Sequence, residues 1–187
     1  MRTFGWITGG LLLGAIIHIV SVLILPSFAS NNAWARLSKF GGYNSLYTLP
    51  AASPQVSAIA DMDPSIRFAM CRYDISKGPL RVDAVIPQTY WALAVYDPAG
   101  SNFYSLNDRS ARRSVLTLWV ADQRQILNLE PVEGGEIEDR LVVKSNSSKG
   151  VILLRTLVPD ASYEPTVRNA FAESRCQIDN SILTEEE

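Results

Sequence analysis

"IRFAMCRYDISKGPLRVDAVIPQTYWALAVYDPAGSNFYSL", residues 66–106, is the stretch that decides the fold of this chain. Apolar side chains alternate with polar or small ones through three of its segments, residues 66–73, 80–86 and 90–96. A period of two is typical of β-strands that bury one face. Residues 74–79, Asp-Ile-Ser-Lys-Gly-Pro, join the first two strands and are rich in turn-forming residues.

The third strand leads into a predicted β-hairpin. Residues 97–100 read Asp-Pro-Ala-Gly, in which Pro98 presets φ at the second turn position and Gly100 can supply a positive φ. Residues 102–106 then pair back on the third strand.

Three further strands are predicted at residues 114–121, 140–145 and 150–159. The last of these is a continuous apolar run, which is typical of a central strand. Residues 146–150, Asn-Ser-Ser-Lys-Gly, predict a hairpin turn immediately before it.

The segment 162–176, "SYEPTVRNAFAESRC", predicts a helix. Ser162 suits the N-cap, Pro165 falls in the first turn and Arg175 falls in the last turn, where it complements the helix dipole. Together with the strands, this predicts a mainly β fold, an antiparallel β-sandwich or half-open barrel with a C-terminal helix, preceded by one N-terminal transmembrane helix.

The N-terminal region has the composition of a membrane span. No Asp, Glu, Lys or Arg occurs between Arg2 and Arg36. The apolar stretch at 6–25 is about 20 residues long, which suffices to cross a hydrocarbon layer of about 30 Å. Arg2 and the amino terminus favour a cytoplasmic N-terminus. The sequence therefore predicts a single-pass protein of the bacterial inner membrane, with a signal-anchor and a periplasmic C-terminal domain.

Two alternatives compete with an uncleaved anchor. A cleavable signal peptide has a shorter apolar region, although Ser27-Phe28-Ala29 resembles a cleavage site and would leave a protein that begins at Ser30. A buried helix of a soluble domain would show one polar face, and this segment has few polar residues, among them His18 and Ser21.

Four consecutive regions follow from these patterns. Residues 1–30 are expected to form a cytoplasmic stub and the anchor, and residues 31–60 a short helix and a linker. Residues 61–178 are expected to form the β-rich exported domain, and residues 179–187 an acidic tail. Asn31 or Asn32 would cap the short helix and Gly41 would end it.

The two cysteines are candidates for a disulfide. Cys71 lies in the first strong strand, Cys176 ends the predicted helix, and export would allow them to pair. A helix that covers the sheet can bring its last turn onto that strand. The alternative is a pair of buried thiols that pack as small apolar groups.

The residues that several kinds of catalytic or binding site require are missing from this sequence. The only histidine, His18, lies in the anchor, so a nucleophile activated by histidine is excluded from the exported domain. No phosphate-binding glycine motif or histidine–cysteine zinc pattern is present, and neither a metal nor another cofactor is expected. The formal net charge of −2 argues against nucleic acid as a partner.

Polar and aromatic residues concentrate around the predicted hairpin. A ligand- or protein-binding envelope module would present them as contacts, because tyrosine offers large contact area and arginine offers bidentate hydrogen bonds. The alternative is a periplasmic enzyme that acts on a sugar or polar metabolite through Asp97, Asp108 and Arg109. A third interpretation is that they only build the hairpin. The candidate residues are Tyr90, Tyr96, Asp97, Asn102, Tyr104, Asp108 and Arg109.

An ordered set of short motifs runs through the same region. It comprises Tyr73, Asp74, Ile75, Ser76, Gly78 and Pro79, then Tyr90, Trp91, Tyr96, Asp97, Asn102 and Phe103. The order of these motifs resembles that of the family catalogued as domain of unknown function 1254. The resemblance covers residues 57–176. In particular, the chain resembles the short membrane-anchored variety of this family in alphaproteobacteria. Larger members carry a second domain. The resemblance therefore implies a companion envelope protein that carries it, while the membrane itself is contacted through residues 6–25.

Overall fold

The computed structural model describes residues 2–28, 33–52, 62–110, 114–128 and 141–181. Its helices are α1 (Arg2–Phe28), α2 (Ala33–Leu37), α3 (Gln123–Leu127) and α4 (Glu164–Glu173). Its strands are β1 (Ser45–Thr48), β2 (Ile66–Asp74), β3 (Leu80–Val85), β4 (Trp91–Tyr96), β5 (Asn102–Asn107), β6 (Val115–Ala121), β7 (Leu141–Lys144), β8 (Lys149–Leu157) and β9 (Arg175–Ile178).

The described strands form two sheets, which confirms the predicted mainly β sandwich. The five-stranded sheet has the order β1-β2-β8-β4-β5, and the four-stranded sheet has the order β7-β6-β3-β9. Neighbouring strands are antiparallel except β6 and β7, which are parallel. Strand β8 lies at the centre of the larger sheet, as its continuous apolar sequence predicts.

The main core lies between the sheets, and in β3 and β4 it holds the side chains that the period of two assigns to one face. In β3, Leu80, Val82 and Ala84 are buried, whereas Arg81 and Asp83 remain half-buried on the other face. Burying a large apolar side chain stabilises the fold by about 1.5–3 kcal/mol. The same core receives Ala69, Cys71 and Tyr73 from β2 and Trp91, Leu93 and Val95 from β4.

A second, smaller apolar layer covers the outer face of the five-stranded sheet. Leu37 of α2, Leu49, Met70 of β2 and Val151 of β8 are buried there, and Trp34, Phe40, Tyr47, Phe68, Tyr96 and Leu153 pack against them. Strands β2 and β8 are apolar on both faces because each face meets a different core.

The predicted linker contains a strand. Ser45–Thr48 forms β1 and pairs antiparallel with β2, so part of the 31–60 region belongs to the sheet. Helix α2 ends at Leu37, four residues before Gly41. The proposed caps, Asn31 and Asn32, lie outside the described residues.

The prediction of a hairpin turn at residues 146–150 is wrong. Strand β7 belongs to the four-stranded sheet and β8 to the five-stranded sheet, so this segment crosses from one sheet to the other. Ser145 stabilises this crossing segment. Its buried hydroxyl contacts the Tyr73 hydroxyl at 3.1 Å and donates to the Ser147 carbonyl at 2.7 Å.

The C-terminal helix is shorter than predicted. Asp160, rather than Ser162, accepts a backbone N–H and caps a 3₁₀ turn, Ala161–Tyr163, that leads into α4. The helix ends at Glu173 because Ser174 is extended. The Ser174 hydroxyl donates to the Ala170 carbonyl and accepts the Val85 N–H, which fixes the chain against β3.

Arg175 and Cys176 therefore lie in strand β9 and not in the helix. Cys176 pairs with Val82 in the sheet register. The predicted disulfide is confirmed: Cys71 and Cys176 are bonded, with Cα atoms 6.4 Å apart.

Two smaller elements differ from expectation. Helix α3 was not predicted, although Asp122 and Gln125 form a capping box at its start. Asp179, the first residue of the expected acidic tail, contacts the folded domain: it binds Arg81 at 3.4 Å and its N–H donates to the Pro79 carbonyl. Residues 182–187 lie outside the described residues.

Helix α1 fits a membrane span in length and composition. Thr3–Ile24 has a mean hydropathy of 2.3 and none of it is buried against the rest of the described chain. The core helix of a soluble domain would be buried, whereas this helix is not buried among the described residues. This one N-terminal apolar helix could span a membrane, as single-pass anchoring requires.

Candidate functional site

The two carboxylates of the enzyme hypothesis lie at opposite ends of the β4–β5 hairpin. Asp97 opens the turn between the strands, whereas the Asp108 N–H donates to the carbonyl of Trp91 at 3.2 Å, at the far end. The five residue steps of β5 separate the two ends by about 16 Å. Glycoside hydrolysis needs carboxyl groups about 5 to 9.5 Å apart. Asp97 and Asp108 therefore do not form an acid–base pair.

The predicted contact residues also divide between the two faces of the sheet. Tyr104 packs against the core between the sheets, and burial raises the pKa of its hydroxyl. Tyr96 packs into the outer layer. Asn102 and Arg109 are exposed, and Tyr90 is exposed just before β4. Tyr90, Asn102, Tyr104, Asp108 and Arg109 do not line the cavity described next.

Tyr96 and Asp97 line a cavity of about 260 Å³ on the outer face of the five-stranded sheet. Its floor is Val151 and Leu153 of β8, its roof is α2, and one wall is the β4–β5 turn. Among the described residues that line it, Asp97 is the one that carries a charge. The lining residues are Ala33, Trp34, Leu37, Tyr96, Asp97, Pro98, Ala99, Gly100, Val151 and Leu153.

The turn that forms the cavity wall is held by Asp97 itself. Its side chain accepts the Ser101 N–H at 2.8 Å, and its carbonyl accepts the Gly100 N–H at 3.0 Å. Gly100 has the positive φ of 89° that the turn sequence predicts. Asp97 thus shapes the cavity mouth through a turn of the kind that aspartate commonly forms.

Arg72 fixes the roof of the cavity. It is only 7% exposed, and its guanidinium carbon lies 4.9 Å from the centre of the Trp34 ring and 4.3 Å from that of Tyr43. It also donates to the Gly41 carbonyl at 3.2 Å and to the Tyr43 hydroxyl at 2.9 Å. A desolvated cation–π contact contributes up to about 2 kcal/mol. One side chain therefore holds both α2 and the segment that follows it against β2.

The Tyr43 ring, which contacts Arg72, also contacts a second cation, Lys149. The ammonium of Lys149 lies 5.4 Å from its centre and 3.6 Å from the Asp74 carboxylate. Hydrogen bonding from Ser76, followed by the nearby Lys149, lowers the pKa of Asp74. Asn44, in the left-handed region at φ 57°, bonds both backbone groups of Asp74.

Arg72, Val151 and Tyr96 lie in one row across three strands. Val151 is the register partner of Arg72 in β2 and of Tyr96 in β4. Two strand spacings put the Arg72 and Tyr96 backbones about 10 Å apart. Arg72 and the rings that it contacts are thus adjacent to the cavity, and Trp34 both contacts Arg72 and lines the cavity. Among the described residues, no group of three or more His, Cys, Asp or Glu side chains could hold a metal ion.

Of the predicted contact residues, Tyr96 and Asp97 line this cavity, and the sequence analysis did not identify the other lining residues. The available signal was the apolar character of Met70, Val151 and Leu153 on the second face of β2 and β8. A strand with two apolar faces requires a second covering layer, and α2 provides it. The partnership of Trp34 with Arg72 joins residues 38 positions apart and has no local sequence signal.

Comparison with protein families and solved structures gives one family and a shared fold. A family model described as protein of unknown function (DUF1254) matches residues 43–177. The crystal structure of the VPA0106 protein from Vibrio parahaemolyticus is similar, with a TM-score of 0.55, 13% identity, and coverage of 87% of this chain and 38% of that one. A crystal structure of an uncharacterised protein from Burkholderia cenocepacia has a TM-score of 0.45, 17% identity, and coverage of 73% and 34%. This chain thus spans little more than a third of the length of either protein. No curated protein matches it.

Proposed function

This chain belongs to the DUF1254 family of proteins of unknown function, and we propose that it is a membrane-anchored periplasmic binding module. Its ligand occupies the cavity between α2 and the β4–β5 turn. The observation that carries this proposal is the cavity itself: an apolar floor, a roof held by Arg72, and a mouth formed by the predicted residues Tyr96 and Asp97.

The chemistry of the lining supports binding over catalysis. Seven of the ten lining residues are apolar, and Asp97 already accepts a backbone N–H of its own turn. An acid–base mechanism needs a second titratable group within reach of the first, and Asp108 lies at the far end of the hairpin. The enzyme alternative therefore has no support from the geometry.

The proposed location rests on α1 and on the disulfide. The amino terminus and Arg2 precede the span and favour a cytoplasmic N-terminus, so the β-sandwich would be exported. Disulfides such as Cys71–Cys176 persist mainly in oxidising compartments, of which the periplasm is one.

A companion envelope protein is also part of the proposal. The similarity to this chain covers 38% of the VPA0106 protein, which therefore has a large portion outside the shared fold. A separate polypeptide that supplies such a portion would act together with this module. Co-purification from cross-linked membranes tests this point, with a variant that lacks α1 as the control for capture through the membrane.

An apolar probe tests the binding site directly. The full chain is placed in lipid nanodiscs with labelled valine and leucine methyl groups, and indole is titrated in. We expect saturable shifts at Val151 and Leu153, and no saturable shift at Leu127, which is 74% exposed. Replacement of the exposed cavity residue Ala99→Trp should abolish the shifts at Leu153. Unchanged methyl signals in the wild-type chain would refute the binding site.

A further inference from the structure

We propose that the occupant of the cavity is a hydrocarbon chain of a phospholipid from the bilayer that holds α1. This inference rests on the proposed binding function and adds the chemical class of the ligand. The lining chemistry, the short tether between anchor and cavity, and the charges around the mouth carry it.

The lining suits an alkyl chain better than a polar metabolite. A buried polar ligand needs hydrogen-bond partners, because leaving its groups unpaired costs several kcal/mol in an apolar site. Here the floor and roof are carbon, from Val151, Leu153, Trp34 and Leu37. The volume of about 260 Å³ is also slightly below the usual range of about 300–1,000 Å³ for drug-sized ligands. A narrow, flexible hydrocarbon chain needs no hydrogen-bond partners and fits a small volume.

The cavity is tethered close to the membrane surface. Helix α1 ends at Phe28 and α2 begins at Ala33, which itself lines the cavity. Five Cα-to-Cα steps cannot span more than about 18 Å in any conformation. A lipid in the adjoining leaflet has an acyl chain of about 15 Å, half the hydrocarbon thickness. The separation between the end of α1 and the cavity residue Ala33 is thus at most comparable with the length of one acyl chain.

The surroundings of the mouth match an amphiphile. Arg36 in α2 and Lys39 just after it are cations on the roof segment, and Lys149, which pairs with Asp74, is a half-exposed cation at the start of the central strand β8. Asp97 is the opposing carboxylate at the mouth. Cations near a membrane surface attract lipid phosphate groups, and tryptophan residues concentrate at membrane interfaces.

Photo-crosslinking in nanodiscs tests the assignment. The full chain is reconstituted with phosphatidylglycerol whose acyl chain ends in a diazirine, irradiated, digested and mapped by mass spectrometry. Helix α1 contacts lipid in every sample and reports successful reconstitution. We expect additional label on the segments 33–37, 96–100 and 151–153, which surround the cavity. A parallel sample carries the diazirine on a free fatty acid in unlabelled discs.

Two filled-cavity variants and one control sharpen the result. Ala99→Trp places a large ring at the mouth from an exposed position, and Leu153→Phe adds volume at the floor. Both should lower cavity labelling roughly tenfold, because we expect each substitution to weaken lipid binding by about that factor. Ala172→Trp makes the same change as Ala99→Trp at an exposed position of α4 and should leave labelling unchanged. An intact Cys71–Cys176 disulfide on non-reducing gels reports folding of each variant.

The outcomes separate this inference from the function on which it rests. Label on α1 but not around the cavity overturns the lipid assignment, as does cavity label from the free fatty acid alone. Label that survives Ala99→Trp and Leu153→Phe also overturns it. If indole still gives saturable shifts at Val151 and Leu153, the binding function stands and another occupant, such as an apolar segment of a partner protein, takes the site. If both experiments fail, both proposals fail.

Discussion

Cys71 in β2 and Cys176 in β9 join the two sheets of the sandwich through a disulfide, with Cα atoms 6.4 Å apart. Both side chains are buried in the core between the sheets. The bond fixes strand β9, at the edge of the smaller sheet, to a strand of the larger one.

Loss of this disulfide should destabilise the β-sandwich. The cysteines are 105 residues apart, and closing a loop of that length contributes about 4–5 kcal/mol in the chain-entropy model. We expect the double variant Cys71→Ala, Cys176→Ala to unfold at a markedly lower temperature and to lose the fast-migrating form on non-reducing gels. Equal melting temperatures of the oxidised wild type and the double variant would contradict the structural role.

Asp179 should make stability depend on pH in the acid range. Burial alone would raise its pKa, but hydrogen bonds from Ser181 and the guanidinium of Arg81 outweigh burial and lower the pKa. Because the folded-state pKa lies below the unfolded one, the stabilisation is complete above the unfolded value, near 3.8. It is lost as the pH falls through the folded-state pKa.

The variant Asp179→Asn measures this contribution. At pH 7 it should cost about 1.5–3 kcal/mol of unfolding free energy, the usual value of a hydrogen bond to a charged group. The difference from wild type should shrink as denaturation is repeated at decreasing pH below about 4. Asp108→Asn, at the end of the hairpin, is the control. A difference that stays constant down to about pH 2 would rule out the ionised carboxylate as its source.

Gly150 allows β8 to pass the Tyr73 hydroxyl. A Cβ atom at this position would overlap the Tyr73 hydroxyl oxygen and the carbonyl of Tyr96. Both neighbours are fixed, one in the core and one in the backbone, so Gly150→Ala should cost about 1–3 kcal/mol. Gly42→Ala, where the nearest atom is the Tyr47 hydroxyl at 3.8 Å, should change stability by no more than about 0.5 kcal/mol. Thermal denaturation of the two variants compares them, and equal effects would contradict the close approach.

Arg72 should control how firmly α2 closes the cavity. Arg72→Lys keeps a positive charge but loses the planar group that contacts both the Trp34 and Tyr43 rings. We expect faster amide hydrogen exchange in residues 33–43, with exchange in β8 little changed. Arg155→Lys, at an exposed position of β8, is the matched control. If Arg72→Lys leaves the exchange of residues 33–43 unaltered, Arg72 does not hold the roof.

The strand periodicity predicted much of this fold because β3 and β4 each bury one face against the main core. The sequence predicted the wrong ends for α4 because a hydrogen bond between Ser174 and Val85, 89 positions apart, starts β9 where the helical pattern still continues. The cavity likewise depends on contacts between residues far apart in the sequence, which local patterns do not reveal. Tyr96 and Asp97 were identifiable from the turn sequence, but Trp34 meets Arg72 only through the packing of α2 on the sheet.

Native mass spectrometry of the full chain, extracted from membranes in mild detergent, tests the membrane-anchored binding module most directly. We predict a polypeptide that retains residues 2–28 and carries a non-covalently bound apolar molecule, present in Ala172→Trp and absent in Ala99→Trp. A mature chain that begins at Ser30, or a wild-type chain that carries the same bound mass as Ala99→Trp, would contradict the account.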